Sequence, residues 1–207
     1  MLSVIARRWS PRLVLVPLAA LLIAAVPAPS DHLADPEHLI VLSTSDVKGK
    51  TSPCGCHTPK GGFARRASYF DSVKVEHGQV LIVDAGGYYP ETEAEKASGP
   101  YSQRMMKQLG TDAVGVGERD LRYGLAFLRE GVRASGLPTV CSNLFDRRTN
   151  ATAFPPFRVM KVGRVTVGVF ALLSEQADLG PAKDSLRVEA PEPAAARTIA
   201  AMRKQGA

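Results

Sequence analysis

The chain has 207 residues, of which 45% are apolar, and carries a formal net charge of +6. Its length and apolar content predict one domain with one sizeable core. The basic residues are mixed with acidic ones and the aromatic residues form no stacking platform, so the composition argues against nucleic-acid binding.

The first 28 residues have the pattern of an export signal. Three arginines precede the uncharged apolar run 13–26, and small residues follow it. This run is shorter than the roughly 20 residues that a membrane-spanning helix needs. We therefore predict a signal peptide at 1–28, a linker at 29–37 and no stable membrane span after cleavage. The predicted location is the periplasm or the exterior of a bacterium.

From residue 38 onward, strand and helix patterns alternate. Apolar runs predict strands at 38–43, 79–83, 113–116, 138–142, 157–162 and 165–170. Amphipathic spacing predicts helices at 62–75, 100–109, 120–134 and 192–204. Such alternation is typical of an α/β domain whose functional site lies at the carboxyl ends of its strands.

Two of these elements have recognisable ends in the sequence. Asp120 is placed to cap the helix at 120–134, and Gly136 follows the last turn of that helix. Gly163 opens a two-residue turn, which predicts that the last two strands form a hairpin.

Acidic residues follow the first three predicted strands. Asp46 follows the first strand, Asp84 follows the second, and Glu118 and Asp120 follow the third. Three acidic turns at one edge of a sheet could hold one or two cations. The alternative is that Asp84 and Asp120 are turn and cap residues without a further role.

The order of the motifs resembles the 5′-nucleotidase branch of the calcineurin-like metallophosphatases. The segments that carry the resemblance are 45–49, 61–65, 81–86, 117–124 and 142–144. The resemblance covers residues 38–207 and implies a metallophosphatase-like sandwich of two β-sheets flanked by helices. It also implies two divalent metals and hydrolysis of phosphate esters or pyrophosphates, typically of nucleotides.

Compared with that family's pattern, the expected metal ligands are mostly missing. Asp46 matches, but Lys48 stands in place of a histidine and Gly87 in place of a bridging aspartate. The family's third motif is Gly-Asn-His-Glu and falls at 117–120, where Arg119 stands in place of the histidine. The two later histidine motifs have no counterpart, so we expect a fragment that is incomplete at the C-terminus. The positive charges of Lys48 and Arg119 near these positions would repel a metal ion. The resemblance therefore predicts a degenerate site and a weak or inactive phosphatase.

One remaining use of this edge is a single metal ion. Asp46, Glu118 and Asp120 are hard oxygen ligands of the kind that Mg²⁺ or Ca²⁺ prefers. The resemblance leaves zinc or manganese open as well.

A second use is binding of a phosphate or nucleotide without hydrolysis. Backbone N–H groups at Gly61 and Gly62 precede a predicted helix, whose start favours anions. The plainer alternative is that Arg65 and Arg66 are only solvated residues on the exposed face of that helix. The candidate phosphate-binding side chains are Lys48, Arg65, Arg66 and Arg119.

The cysteines support a competing hypothesis. The sequence contains three, and one intervening residue between Cys54 and Cys56 makes a disulfide between these two a tight ring. Cys141 ends the fourth strand, so all three thiols could meet at one edge and, with His57, form a Cys₃His zinc site. The alternatives are one disulfide from Cys141 to Cys54 or Cys56, and a pair that undergoes thiol–disulfide exchange.

Two hypotheses for function follow. The first is an exported 5′-nucleotidase-type metallophosphatase of nucleotide catabolism, either diverged in its metal site or represented here only by a fragment. The second is a periplasmic thiol-based metal-binding or redox module on a phosphatase frame, forming the front part of a longer protein. The lost ligands favour the second hypothesis for the chemistry, and the extent of the resemblance favours the first for the family.

Overall fold

The computed structural model describes residues 38–207. The predicted signal peptide at 1–28 and linker at 29–37 lie outside the described residues. Within the described part, no helix is both long and apolar enough to cross a membrane.

Four short strands form a parallel sheet with the order β1-β2-β3-β4. All four were predicted, because apolar runs such as those of β1 and β2 are typical of strands covered on both faces. Parallel pairing places Thr44 opposite Asp84, and Asp84 opposite Val114, so the loops that follow these strands lie at one edge. The strands are β1 (Ile40–Thr44), β2 (Val80–Asp84), β3 (Ala113–Gly115) and β4 (Thr139–Val140).

Within residues 38–207, four α-helices lie around the strands. The first packs Phe70 and Val73 against Val80 and Ile82 of the sheet. The main core includes residues of the second and third helices, among them Leu128, which is fully buried. The helices are α1 (Phe63–His77), α2 (Ser98–Gln108), α3 (Leu125–Ser135) and α4 (Pro191–Lys204).

The remaining strands pair antiparallel. The predicted hairpin is confirmed, with Gly163 at φ +60° in its turn, and α4 packs on it. A second pair was missed because each of its strands has three residues, too few for a strand pattern to stand out. The hairpin strands are β6 (Phe157–Val162) and β7 (Val165–Phe170), and the missed pair is β5 (Leu144–Asp146) and β8 (Leu186–Val188).

The prediction of one helix over 120–134 was partly wrong. A short 3₁₀ helix (Glu118–Leu121) comes first, and α3 begins only after Gly124, which adopts φ +84°. Asp120 therefore does not cap α3. Gly136 does end it, in the left-handed conformation that favours glycine. The predicted α/β class is confirmed.

The missed strand β8 supplies the first testable prediction. Leu186→Ala should lower the free energy of unfolding by about 2–5 kcal/mol, because Leu186 is fully buried in the main core. Val75→Ala is the matched control, since Val75 is 78% exposed, and should cost less than about 0.5 kcal/mol. Denaturant unfolding followed by circular dichroism measures both. Equal, small losses would contradict the placement of β8 in the core.

Candidate functional site

The loops after β1 and β2 are joined by their backbones. The amides of Asp46, Lys48 and Gly49 donate to the carbonyls of the loop after β2, at 2.9, 3.0 and 2.8 Å. Asp46 and Lys48 both adopt φ +52°, a conformation that is uncommon for residues other than glycine. The neighbouring loop thus holds both residues in place at the edge of the sheet.

Gly87 packs directly against Asp46. A Cβ atom at position 87 would lie 2.6 Å from Asp46 Oδ1, and Gly87 itself has φ +76°. The resemblance places a bridging carboxylate at this position, but here the Asp46 carboxylate lies against the glycine. A side chain at 87 would be strained by the positive φ and would have to displace the Asp46 carboxylate.

Asp120 is fully buried and holds the loop after β2 to the loop after β3. Its Oδ1 accepts hydrogen bonds from the amides of Tyr88 (2.9 Å) and Tyr89 (3.3 Å). Its Oδ2 accepts from the amides of Gly87 (2.8 Å) and Gly117 (2.9 Å). With four donors on two oxygens, this carboxylate acts as a structural clamp between the loops. We refer to Asp120 and its four amide donors as the Asp120 clamp.

Burial raises the pKa of Asp120 to about 7, while the hydrogen bonds from the four amides act in the opposite direction. Burial is the largest influence, because the carboxylate loses its hydration in the interior.

The other two residues of the third motif have partners away from Asp46. Arg119 forms an ion pair with Glu91 at 2.8 Å, and Glu118 Oε2 accepts from the amide of Asp178 at 3.3 Å. Within residues 38–207, no group of three acidic, histidine or cysteine side chains is arranged to hold a metal. The predicted oxygen site of Asp46, Glu118 and Asp120 is therefore not assembled.

Asp84 is committed to local contacts as well. It accepts hydrogen bonds from the Thr44 hydroxyl and from the amide of Gly86, the latter at 2.8 Å. Arg66 lies 3.9 Å away. Burial raises the pKa of Asp84, and its hydrogen bonds and Arg66 oppose that shift. The turn-residue interpretation from the sequence describes Asp84 better than the cation-ligand one.

A cavity of about 610 Å³ opens beside these loops, and we call it the cationic cavity. Lys48, Lys50, Lys60 and Arg66 line it, with Asp46 as the one acidic side chain among its lining residues. Lys48 and Arg66 are two of the phosphate-binding candidates predicted from the sequence. The two further lysines were missed because isolated loop lysines resemble ordinary solvated residues. The predicted Arg65 and Arg119 do not line it.

The start of α1 forms one wall of the cationic cavity. Gly62, at φ +82°, precedes Phe63, and a Cβ at Gly62 would come within 2.7 Å of the Pro53 nitrogen. The first turn of α1 contains no acidic residue, so no side-chain carboxylate of that turn offsets the positive end of the helix dipole.

The cysteines correct the sequence hypothesis. Cys54 and Cys56 form a disulfide with each other, which the tight ring had argued against, and the flexible Gly55 between them permits it. Cys141 is a free thiol, fully buried in the main core, where burial raises its pKa to about 11. The predicted Cys₃His site with His57, and the disulfide to Cys141, are therefore both wrong.

Sequence comparison finds relatives among 5′-nucleotidases. No family profile matches the chain. The snake venom 5′-nucleotidase of Gloydius brevicauda is 28% identical over 145 residues, which cover 67% of this chain and 24% of the relative. The chain thus spans about a quarter of the length of this curated relative.

Solved structures show the same fold. The 5′-nucleotidase precursor from Thermus thermophilus has a TM-score of 0.72 and 24% identity, covering 81% of this chain and 35% of that one. The calcineurin-like phosphoesterase YfkN from Bacillus subtilis has a TM-score of 0.68 and 20% identity, covering 82% and 59%. The chain therefore has a metallophosphatase-like fold, as predicted. The predicted resemblance to the N-terminal part of 5′-nucleotidase metallophosphatases is confirmed.

The Asp120 clamp yields a prediction for pH dependence. The folded-state pKa of about 7 lies above the ordinary value of 3.8, so the contribution of Asp120 to stability is complete below about pH 4. That contribution should be lost progressively as the pH rises from about 4 to 7, by up to about 4 kcal/mol in all. Unfolding free energies measured across pH 4–8 test this, together with carbon-13 NMR of the carboxyl group.

Two variants separate this effect from general charge effects. Asp120→Asn should flatten the pH dependence, whereas Asp71→Asn, at an exposed position on α1, should leave it unchanged. An NMR midpoint below pH 4 for Asp120 in the wild-type protein would contradict the prediction, because it would mean that the four amides outweigh burial.

Proposed function

We propose that this chain is an exported 5′-nucleotidase-like protein. On this proposal it binds a phosphate-bearing ligand, such as a nucleotide, in the cationic cavity and hydrolyses phosphate esters weakly or not at all. The observation that carries the proposal is the charge of this cavity, which has four cationic side chains and one acidic one among its lining residues. Export is inferred from the arginine-headed apolar start of the sequence.

The loss of hydrolysis is argued from the ligands. A two-metal hydrolytic site needs carboxylates with free oxygens that can bridge two cations. Gly87 offers no carboxylate, and Asp120 has both oxygens occupied by amide donors. Lys48 adds a positive charge next to the one remaining acid, Asp46. These residues do not fit a pair of divalent metals.

Binding of a phosphate is argued from the same cavity. Arg66 is partly exposed and its contact with Asp84, at 3.9 Å, is long for an ion pair, so the guanidinium can also bind a second anion. Lys48 supplies a point charge, and the start of α1, whose first turn has no acidic residue, supplies the positive end of a helix dipole. A phosphate group matches this combination of forked, point and backbone donors.

Calorimetric titration with AMP and with inorganic phosphate tests the binding. Lys48→Gln and Arg66→Gln should each weaken binding about tenfold or more, as expected for a charged hydrogen bond. Arg65→Gln is the matched control, because Arg65 neighbours Arg66 in sequence but does not line the cavity. Equal losses in all three variants, or no saturable binding in the wild type, would contradict the proposal.

Hydrolysis is tested separately. The purified chain should release little or no phosphate from AMP in the presence of Mg²⁺, Mn²⁺ or Zn²⁺, because it lacks the bridging carboxylate. Metal content measured by mass spectrometry should stay below one equivalent after dialysis. Two bound equivalents together with metal-dependent release of phosphate would overturn the loss of activity.

A further inference from the structure

The Cys54–Cys56 disulfide lies in an exposed loop. Residues 52–61 are exposed throughout, and the bond joins two cysteines with only Gly55 between them. The bond therefore closes a loop with one intervening residue and does not join two distant segments. It removes little conformational entropy from the unfolded chain and so stabilises the fold little. An exposed disulfide with so small a loop is typical of a labile bond rather than a structural one.

The two sulfur atoms have different surroundings. Cys54 Sγ accepts a hydrogen bond from the amide of Lys60 at 3.2 Å, and the amide of Cys54 donates to the carbonyl of Lys60 at 2.9 Å. Cys54 also lines the cationic cavity, whereas Cys56 does not. A thiolate is stabilised by hydrogen-bond donors and by nearby cations. Cys54 is thus the better leaving group of the pair.

We propose that Cys54 and Cys56 form a thiol–disulfide exchange site that oxidises a dithiol. A thiolate of the dithiol attacks Cys56 Sγ, the bond between the two cysteines breaks, and Cys54 leaves with the electron pair as a thiolate. The second thiolate of the partner then attacks its own sulfur in the mixed disulfide and releases Cys56. The partner loses two electrons and two protons, and the two cysteines gain them.

This activity goes beyond the proposed binding of phosphate and does not require it. The third cysteine supports the assignment by contrast. Cys141 is fully buried, contacts Asn143 Oδ1 at 3.6 Å, and burial raises its pKa to about 11, so it takes no part in the exchange. The chain therefore contains one exposed redox pair and one inert thiol among its described residues.

The primary test equilibrates the full oxidised chain in mixtures of reduced and oxidised glutathione at pH 7. Acid quenching, alkylation and mass spectrometry then count the open and closed forms. We expect both forms across the accessible ratios, with reversible closure, unmodified Cys141 and unchanged circular dichroism. A bond that stays closed in excess reduced glutathione, or opens only when the chain unfolds, would overturn the proposal.

The order of attack is tested by trapping the intermediate. Quenching during reaction with glutathione should place the adduct mainly on Cys56, because Cys54 is the leaving sulfur. An adduct mainly on Cys54 would overturn the assigned direction. Cys54→Ser should retain a stable adduct on Cys56, since the remaining thiol, Cys141, is buried in the core and cannot displace it.

The role of the cations is tested with cysteamine as the reductant. The thiolate of cysteamine carries an ammonium group, so removing cations from the protein would help its approach and would hinder only the departure of Cys54. The double variant Lys48→Gln, Lys60→Gln should slow the reduction about threefold or more. The double variant Lys107→Gln, Lys204→Gln is the control and should match the wild type. An unchanged or faster rate in the first variant would overturn the role of the cationic cavity.

The source of the dithiol is resolved by two probes, dithiothreitol and reduced thioredoxin. Reaction with either one supports an exchange site, and the faster of the two at equal thiolate concentration identifies a small-molecule or a protein partner. Failure of both would overturn the proposal even if phosphate still bound to the cavity.

Discussion

The arrangement of the whole site depends on the Asp120 clamp. One buried carboxylate accepts four backbone N–H groups from two loops, and those loops would otherwise leave their amides without partners in the interior. The clamp fixes Gly87, and Gly87 in turn packs against Asp46 and receives the amide of Lys48 at its carbonyl. Asp120, which the sequence predicts as a metal ligand, is therefore the residue that holds Gly87 against Asp46.

Repeating patterns made the outline of the fold predictable from the sequence. The parallel strands and the hairpin β6–β7 follow from apolar runs and from Gly163, which are local signals. The role of Asp120 was not predictable in this way, because its partners Tyr88 and Tyr89 lie about thirty residues away in sequence. A carboxylate after a strand is equally typical of a ligand, a cap and a clamp, and only the three-dimensional arrangement distinguishes them.

The candidate site was predictable in location and not in chemistry. The carboxyl edge of the sheet follows from the α/β alternation, and Lys48 was noticed as a substitution for a metal ligand. The combined effect of Lys48, Lys50, Lys60 and Arg66 required the structure, since they converge from separate loops and one helix. The resemblance implies an edge that binds cations, whereas the charged side chains that line the cavity beside this edge are mostly positive.

That reversal of charge has consequences for every anion that the cavity could stabilise. A phosphate and a thiolate are both stabilised by nearby cations and by hydrogen-bond donors. The core thiol of Cys141 shows the opposite case, in which burial without cations raises the pKa to about 11 and the thiolate is disfavoured. Three cysteines in one chain thus differ in chemistry because one lies in a dry core and two lie in an exposed loop beside positive charge. The two proposals thus depend on the same physical feature, the cations of the cavity, which would stabilise a bound phosphate and the Cys54 thiolate alike.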